Sequence, residues 1–85
     1  MNKMCQHLDQ VLVAATPATG CEECLRLGMR WVHLRRCLNC GHVGCCDASD
    51  GQHATKHFQK SGHAVMASAE PGESWRWCYI DHDFV

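Results

Sequence analysis

Two short segments, Cys21-Glu-Glu-Cys24 and Cys37-Leu-Asn-Cys40, each carry a pair of thiols across two intervening residues. That spacing sets both sulfurs on one side of a tight turn, where one divalent ion can take them together. Downstream stand Cys45, His53, His57 and His63. Structural zinc uses four ligands, drawn from cysteine sulfur and histidine nitrogen, so these eight residues suffice for two closed tetrahedra. A third set lies at the chain ends. Cys5-Gln-His7 presents two ligands on one side of an extended segment, and Cys78-Tyr-Ile-Asp81 offers two more at knuckle spacing, with a carboxylate in place of the second thiolate. His82 is the alternative to Asp81 as the closing ligand. Closing this third site would staple the N-terminal arm to the last strand.

Cysteine in a short chain also suggests a secreted disulfide framework. Here the cysteines alternate with histidines at ligand spacings, and disulfides have no use for histidine. The start of the chain makes a poor signal peptide: its apolar run covers only Val11 to Ala15, and the acidic Asp9 precedes it. No stretch approaches the roughly 18 apolar residues of a membrane helix. The expectation is metal rather than disulfide, in a reducing, cytoplasmic setting with no membrane.

A second alternative is written into the spacing. Cys37, Cys40, His53 and His57 match the C-x2-C, twelve-residue, H-x3-H pattern of a DNA-reading finger. Such a finger needs a miniature core between its ligands, with an aromatic and a leucine at the positions held here by Gly44 and Asp50. No core forms from those two. The pattern would also strand His63 and leave the Cys45 thiol unused. The match is therefore a coincidence of two interleaved sites, although spacing alone does not say whether His53 and His57 serve one ion or two. Cys46 reads as a small buried residue, and His33 and His42 as a strand and a turn residue with satisfied side chains.

The elements that must position these ligands are short. Eighty-five residues allow one domain, 1–85, of a size at which burial alone gives thin stability. The chain holds eight Cys and seven His against two Phe, one Tyr and three Trp, so ions stand in for a large apolar core. Residues 1–20 read as an irregular arm carrying Cys5 and His7. Glu22 to Leu27 reads as a helix stopped at Gly28, Trp31 to Arg36 as a strand by its alternation, and Val43 to Cys46 as a second. Ser49-Asp-Gly-Gln52 has the pattern of a capping box opening a helix that runs to Ser61 and ends at Gly62, with Ala54, His57 and Phe58 facing inward. Ala64–Ala69 and Ser74–Ile80 flank Glu70-Pro-Gly-Glu73, the chemistry of a type II turn, and predict a hairpin.

Taken together, the C-x-H at the start, CEEC, a Trp seven residues on, CLNC-GHVGC, a helix bearing His53 and His57, SGH63 and the closing WCY resemble the ubiquitin-specific-protease-type (UBP-type) zinc finger. The resemblance covers residues 5 to 84. It implies an α+β fold, a small twisted, mostly antiparallel sheet flanked by two short helices, with up to three zinc ions in a crossed ligand topology. One zinc would take Cys21, Cys24, Cys45 and His53; a second Cys37, Cys40, His57 and His63; a third Cys5, His7, Cys78 and Asp81. It also implies a cleft for the free C-terminus of a peptide, walled here by Trp31, Trp77, Tyr79 and Phe84. In ubiquitin-binding relatives an Arg two residues after the Cys45 position holds the carboxylate, and here that residue is Asp47, followed by Ala48. An acidic group repels an incoming carboxylate, which weighs against ubiquitin. The CCDAS segment resembles the short stand-alone bacterial members, whose hosts generally lack ubiquitin.

The reading is of a non-catalytic, monomeric protein- or peptide-recognition module. Trp75, Trp77 and Tyr79 alternate and share one strand face, where they form either a binding row or the core. The alternatives are a nucleic-acid binder using Arg26, Arg30, Arg35 and Arg36 with Lys56 and Lys60, and a zinc hydrolase. The formal charge of -1 and the balancing Glu22, Glu23, Asp47 and Asp50 argue against the first. The absence of any HExxH, Ser-His-Asp or paired-carboxylate motif argues against the second.

Overall fold

The computed structural model describes residues 7–85. After a single 3₁₀ turn, Leu8–Gln10, come helix α1 (Glu22–Leu27), strands β1 (Leu34–Cys37) and β2 (Val43–Cys45), helix α2 (His53–Ser61), and strands β3 (Val65–Ser68), β4 (Arg76–Cys78) and β5 (Asp83–Phe84). The strands form one sheet in the order β2-β1-β3-β4-β5, and every pairing is antiparallel. No helix among the described residues is long and apolar enough to cross a membrane. The α+β architecture with two short helices is the one the sequence predicts.

Local chemistry explains the boundaries. Helix α1 opens at Cys21, whose sulfur accepts the Cys24 N–H at 3.4 Å, and carries Glu22 and Glu23 in its first turn, where carboxylates oppose the helix dipole favourably. It stops at Gly28, in the left-handed region at φ 72°. The β3–β4 hairpin turns through Pro71 and Gly72, the latter at φ 83°, as a type II turn requires. Strand β1 begins at Leu34 rather than Trp31. The residues before it are engaged elsewhere: the Val32 amide donates to Ser49 Oγ at 2.8 Å and the Cys46 amide to the His33 carbonyl at 3.0 Å.

The same Ser49 contact undoes the capping box. Ser49 is buried and spent on Val32, while Gln52 adopts φ 47° and its side chain donates to the Asp47 carbonyl. Helix α2 starts instead at His53, whose N–H is accepted by Cys45 Sγ at 3.3 Å. A ligand sulfur does the work expected of the serine. Its far end is as expected: Gly62, at φ 77°, closes it.

The core is thin and built largely of ligands. Leu38 and Val65 are fully buried, and so are Cys21, Cys24, Cys45 and Cys78, while no aromatic ring is. One cluster gathers Cys21, Cys24, Leu34, Val43, Cys45 and Ala69; the other gathers Leu38, Ala64, Val65, Ala67 and Cys78. The arm is held along this second cluster. Val11 and Val13 pack on it, the Leu12 and Val13 amides both donate to the Leu38 carbonyl at 2.7 and 2.9 Å, and Gln10 Oε1 accepts the Ala64 amide at 2.8 Å.

Candidate functional site

Helix α1, strand β2 and the first residue of α2 converge on one point. Cys21 and Cys24 come from the knuckle, Cys45 from the end of β2, and His53 from the start of α2; all four are buried. His53 Nδ1 lies 3.4 Å from each of the three sulfurs, and Cys24 Sγ lies 3.8 Å from Cys45 Sγ. An imidazole nitrogen carries one lone pair or one hydrogen and cannot serve three thiols. A tetrahedral ion can: Zn–S bonds of about 2.3 Å and Zn–N bonds of about 2.0 Å separate donors by about 3.5 to 3.8 Å. The observed spacings are the edges of that tetrahedron.

Two glycines make this convergence possible. A Cβ on Gly44 would meet the Ala54 nitrogen at 2.5 Å, so β2 lies directly against the start of α2. A Cβ on Gly51 would fall 2.3 Å from His53 Cε1, in steric conflict with the imidazole ring. Gly44 is the residue whose lack of a side chain already spoke against a DNA-reading finger.

The second set joins Cys37 from the end of β1, Cys40 from the turn after it, His57 from α2 and His63 from the loop beyond. Here His57 Nε2 is 3.4 Å from Cys40 Sγ and His63 Nδ1 is 3.5 Å from Cys37 Sγ. This set is nearer the surface, with Cys40 exposed and Cys37 buried. Burial lowers the His57 pKa, with His42 and His63 adding to it, which keeps the ring in the neutral form a metal requires.

A third group gathers His7, Cys78 and Asp81. His7 Nδ1 is 3.4 Å from Cys78 Sγ and 3.6 Å from Asp81 Oδ1. Cys5, the fourth residue named from sequence, lies outside the described residues. His82 does not join this group; it lines a separate cleft.

The electrostatics call for cations. Burial pushes the Cys21, Cys24 and Cys37 thiols up, Cys24 to about 12, and crowding by the Cys21 and Cys45 sulfurs adds to the shift at Cys24. Thiolates so placed cannot share a site without a positive ion among them, and zinc bound there would supply it. The donor atoms of each group lie within 4.8 Å of one another, so the residues present fit the ion.

Sequence reasoning missed what surrounds these ligands. His42 Nε2 is held by both Glu23 carboxylate oxygens, at 2.6 and 2.9 Å, and the His42 ring stacks on His57 with centroids 4.1 Å apart. Burial alone would raise the Glu23 carboxyl, but the hydrogen bond to His42, a backbone hydrogen bond and the neighbouring His42 and His53 together leave it lowered. Glu22 accepts the Val43 amide at 2.9 Å. The two acids inside the first knuckle thus tie α1 to the residues leading into β2. Their signal was a pair of carboxylates between ligands with a spare histidine elsewhere.

Apart from the ligand sets, a cleft of about 790 Å³ opens on the sheet. Trp75, Trp77, Tyr79 and Phe84 line it, with Phe58 from α2 and Cys46 and Asp47 from the loop between β2 and α2. Phe58 stacks on Tyr79 at 4.8 Å, and Phe84 meets Trp77 edge to face at 5.1 Å. Trp31 is set apart from it, packed on the cluster around Cys21, Cys24 and Leu34. It is not among the residues that line this cleft. The arginine cluster is dispersed as well. Arg26 lines a hollow with Lys56 and Lys60, Arg35 borders the aromatic cleft, and Arg36 donates to the Thr16 and Gly41 carbonyls.

The zinc finger found in ubiquitin hydrolases and other proteins matches residues 21–85. The chain belongs to the UBP-type zinc-finger family. A ubiquitin carboxyl-terminal hydrolase 44 from Ailuropoda melanoleuca is 32% identical over 87 residues, covering 95% of this chain and 11% of that protein. Ubiquitin carboxyl-terminal hydrolase 45 from Mus musculus is 31% identical over 94 residues, with 88% and 11% covered. The UBP finger described here thus spans about a tenth of the length of these hydrolases. A solution NMR structure of protein RPA1320 from Rhodopseudomonas palustris superposes with a TM-score of 0.83 at 48% identity, covering 99% of this chain and 82% of that one. Membership and donor geometry agree: this UBP finger is a zinc-binding domain.

Proposed function

We propose that this domain is a non-catalytic peptide-recognition module in which three zinc ions take the place of an apolar core. Two ions would each be closed by four protein donors, Cys21/Cys24/Cys45/His53 and Cys37/Cys40/His57/His63, leaving no open position for a reacting water. The third would be held by His7, Cys78 and Asp81 with Cys5. Thiolate ligands need a reducing setting, and we place the protein in the cytoplasm.

The observation that carries the recognition reading is the aromatic cleft. Trp75, Trp77 and Tyr79 are half-buried along β4 and its flanks, and Phe84 is 64% exposed. Large apolar rings left around an open groove mark a binding surface. An extended peptide is the ligand class this shape suits. Asp47 at its edge disfavours the carboxylate terminus of ubiquitin. Titrating the isotope-labelled, zinc-loaded chain with short peptides and with ubiquitin tests the reading. Shifts confined to Trp75, Trp77, Tyr79 and Phe84 are expected with peptides; silence with every peptide would leave a scaffold and refute recognition.

A further inference from the structure

The charge at the cleft's edge is the informative feature. Asp47 is exposed, and among the described residues no lysine, arginine or histidine pairs with it. Thr55 Oγ1 donates to Asp47 Oδ1 at 2.5 Å, which fixes the carboxylate and leaves Oδ2 without a donor among the described residues. The aromatic side chains that line the same cleft include Tyr79, backed by the stacked Phe58, and Trp77. Arg35, which borders the same cleft, is turned to its wall: the guanidinium lies 4.5 Å over the Trp75 ring and Nη1 donates to the Leu34 carbonyl at 2.9 Å. A fixed carboxylate with one free oxygen beside aromatic faces is complementary to a cation, through charge-assisted hydrogen bonding and cation–π attraction. With one oxygen already engaged by Thr55, the carboxylate suits the point charge of an ammonium better than the two-pronged fork of a guanidinium.

We propose that the cleft recognises a primary ammonium group on its peptide, seated between Asp47 and the Tyr79 and Trp77 rings, in place of a terminal carboxylate. This rests on the peptide-recognition reading and names the chemistry that reading leaves open. A lysine side chain and a free N-terminus supply the same group.

Tryptophan fluorescence of the zinc-loaded chain tests the assignment with three probes. These are a blocked pentaglycine peptide with a central lysine, a pentaglycine with a free N-terminus and amidated C-terminus, and an acetylated pentaglycine with a free carboxylate. At least one ammonium peptide should bind about tenfold more tightly than the same peptide acetylated at its amine, run beside it as a control, and whichever binds identifies the source. Asp47→Asn, which keeps the Thr55 hydrogen bond, should remove that preference; Asp47→Arg should transfer it to the carboxylate peptide. Preference of the unmodified chain for the carboxylate peptide, or equal binding after acetylation or in Asp47→Asn, overturns the assignment while recognition stands. No response to any of the three overturns the assignment and the recognition reading together.

Discussion

His53 and His57 lie one helical turn apart on α2, yet they face different ligand sets. His53 Nδ1 stands 3.4 Å from Cys45 Sγ, and His57 Nε2 stands 3.4 Å from Cys40 Sγ. The helix is the shared wall between two metal sites, and it belongs wholly to neither. Cys37 and Cys40 precede Cys45 in the chain but sit with the later histidines, so the two ligand sets cross. Loss of either ion would therefore unsettle the helix that carries a ligand for the other.

Adjacent cysteines should behave oppositely. Cys45 is one of the four donors in the set that includes His53, whereas Cys46 Sγ contacts the Ser49 hydroxyl at 3.5 Å and joins no ligand group among the described residues. Cys45→Ser should lose at least one zinc per chain and the dispersed amide spectrum of a folded domain. Cys46→Ser should keep both. Zinc content by atomic emission beside an amide proton spectrum checks the pair.

The stack of His42 on His57 should set metal affinity without supplying a ligand. His42→Ala removes the ring held by Glu23 and frees His57 to rotate. Zinc affinity at the Cys37/Cys40/His57/His63 set is expected to fall about 10- to 100-fold, the usual cost of losing a supporting partner. Competition with a chromophoric chelator measures this, and the Cys21/Cys24/Cys45/His53 set should be affected less.

Two glycines should differ in why they resist substitution. Gly44→Ala drives a Cβ to 2.5 Å from the Ala54 backbone nitrogen, with cost of about 3 kcal/mol because backbone must move. Gly62→Ala meets nothing within 4 Å and should cost only about 1 to 2 kcal/mol, for the left-handed conformation. Denaturant unfolding of zinc-loaded protein should rank them in that order.

Tyr79 provides an alkaline probe, since it is the only tyrosine. Burial raises its pKa to about 12, with nearby Asp47 adding to the shift and Thr55 opposing it. The folded state thus holds the phenolic proton more tightly than the unfolded state, whose pKa is about 10. The stabilising contribution is complete below pH of about 10 and is lost as pH climbs toward about 12. Phenolate absorbance should titrate near 12 in the folded chain and near 10 in denaturant, and Asp47→Asn should lower the folded value.

Much of this was legible because metal chemistry and glycine act locally. Knuckle spacing marked the thiol pairs, and Gly28, Gly62 and Gly72 marked two helix ends and a turn by a left-handed conformation that glycine adopts most readily. The same local logic failed at Ser49, where a distant amide, Val32, took the oxygen that sequence assigned to the helix start. Trp31, named for the cleft by the family pattern, packs on the Cys21 and Leu34 cluster, a contact that spacing alone does not reveal. Strand β5 and the Glu23–His42 contact depend on where the chain returns in space, and no local pattern encodes that.

Native mass spectrometry of the freshly reduced, intact chain tests the central claim most directly. Three zinc ions per chain are expected, released by acid or chelator together with the compact charge-state distribution. A metal-free ion that remains compact, or one whose mass shows the thiols oxidised in pairs, would contradict a fold built on interleaved zinc sites.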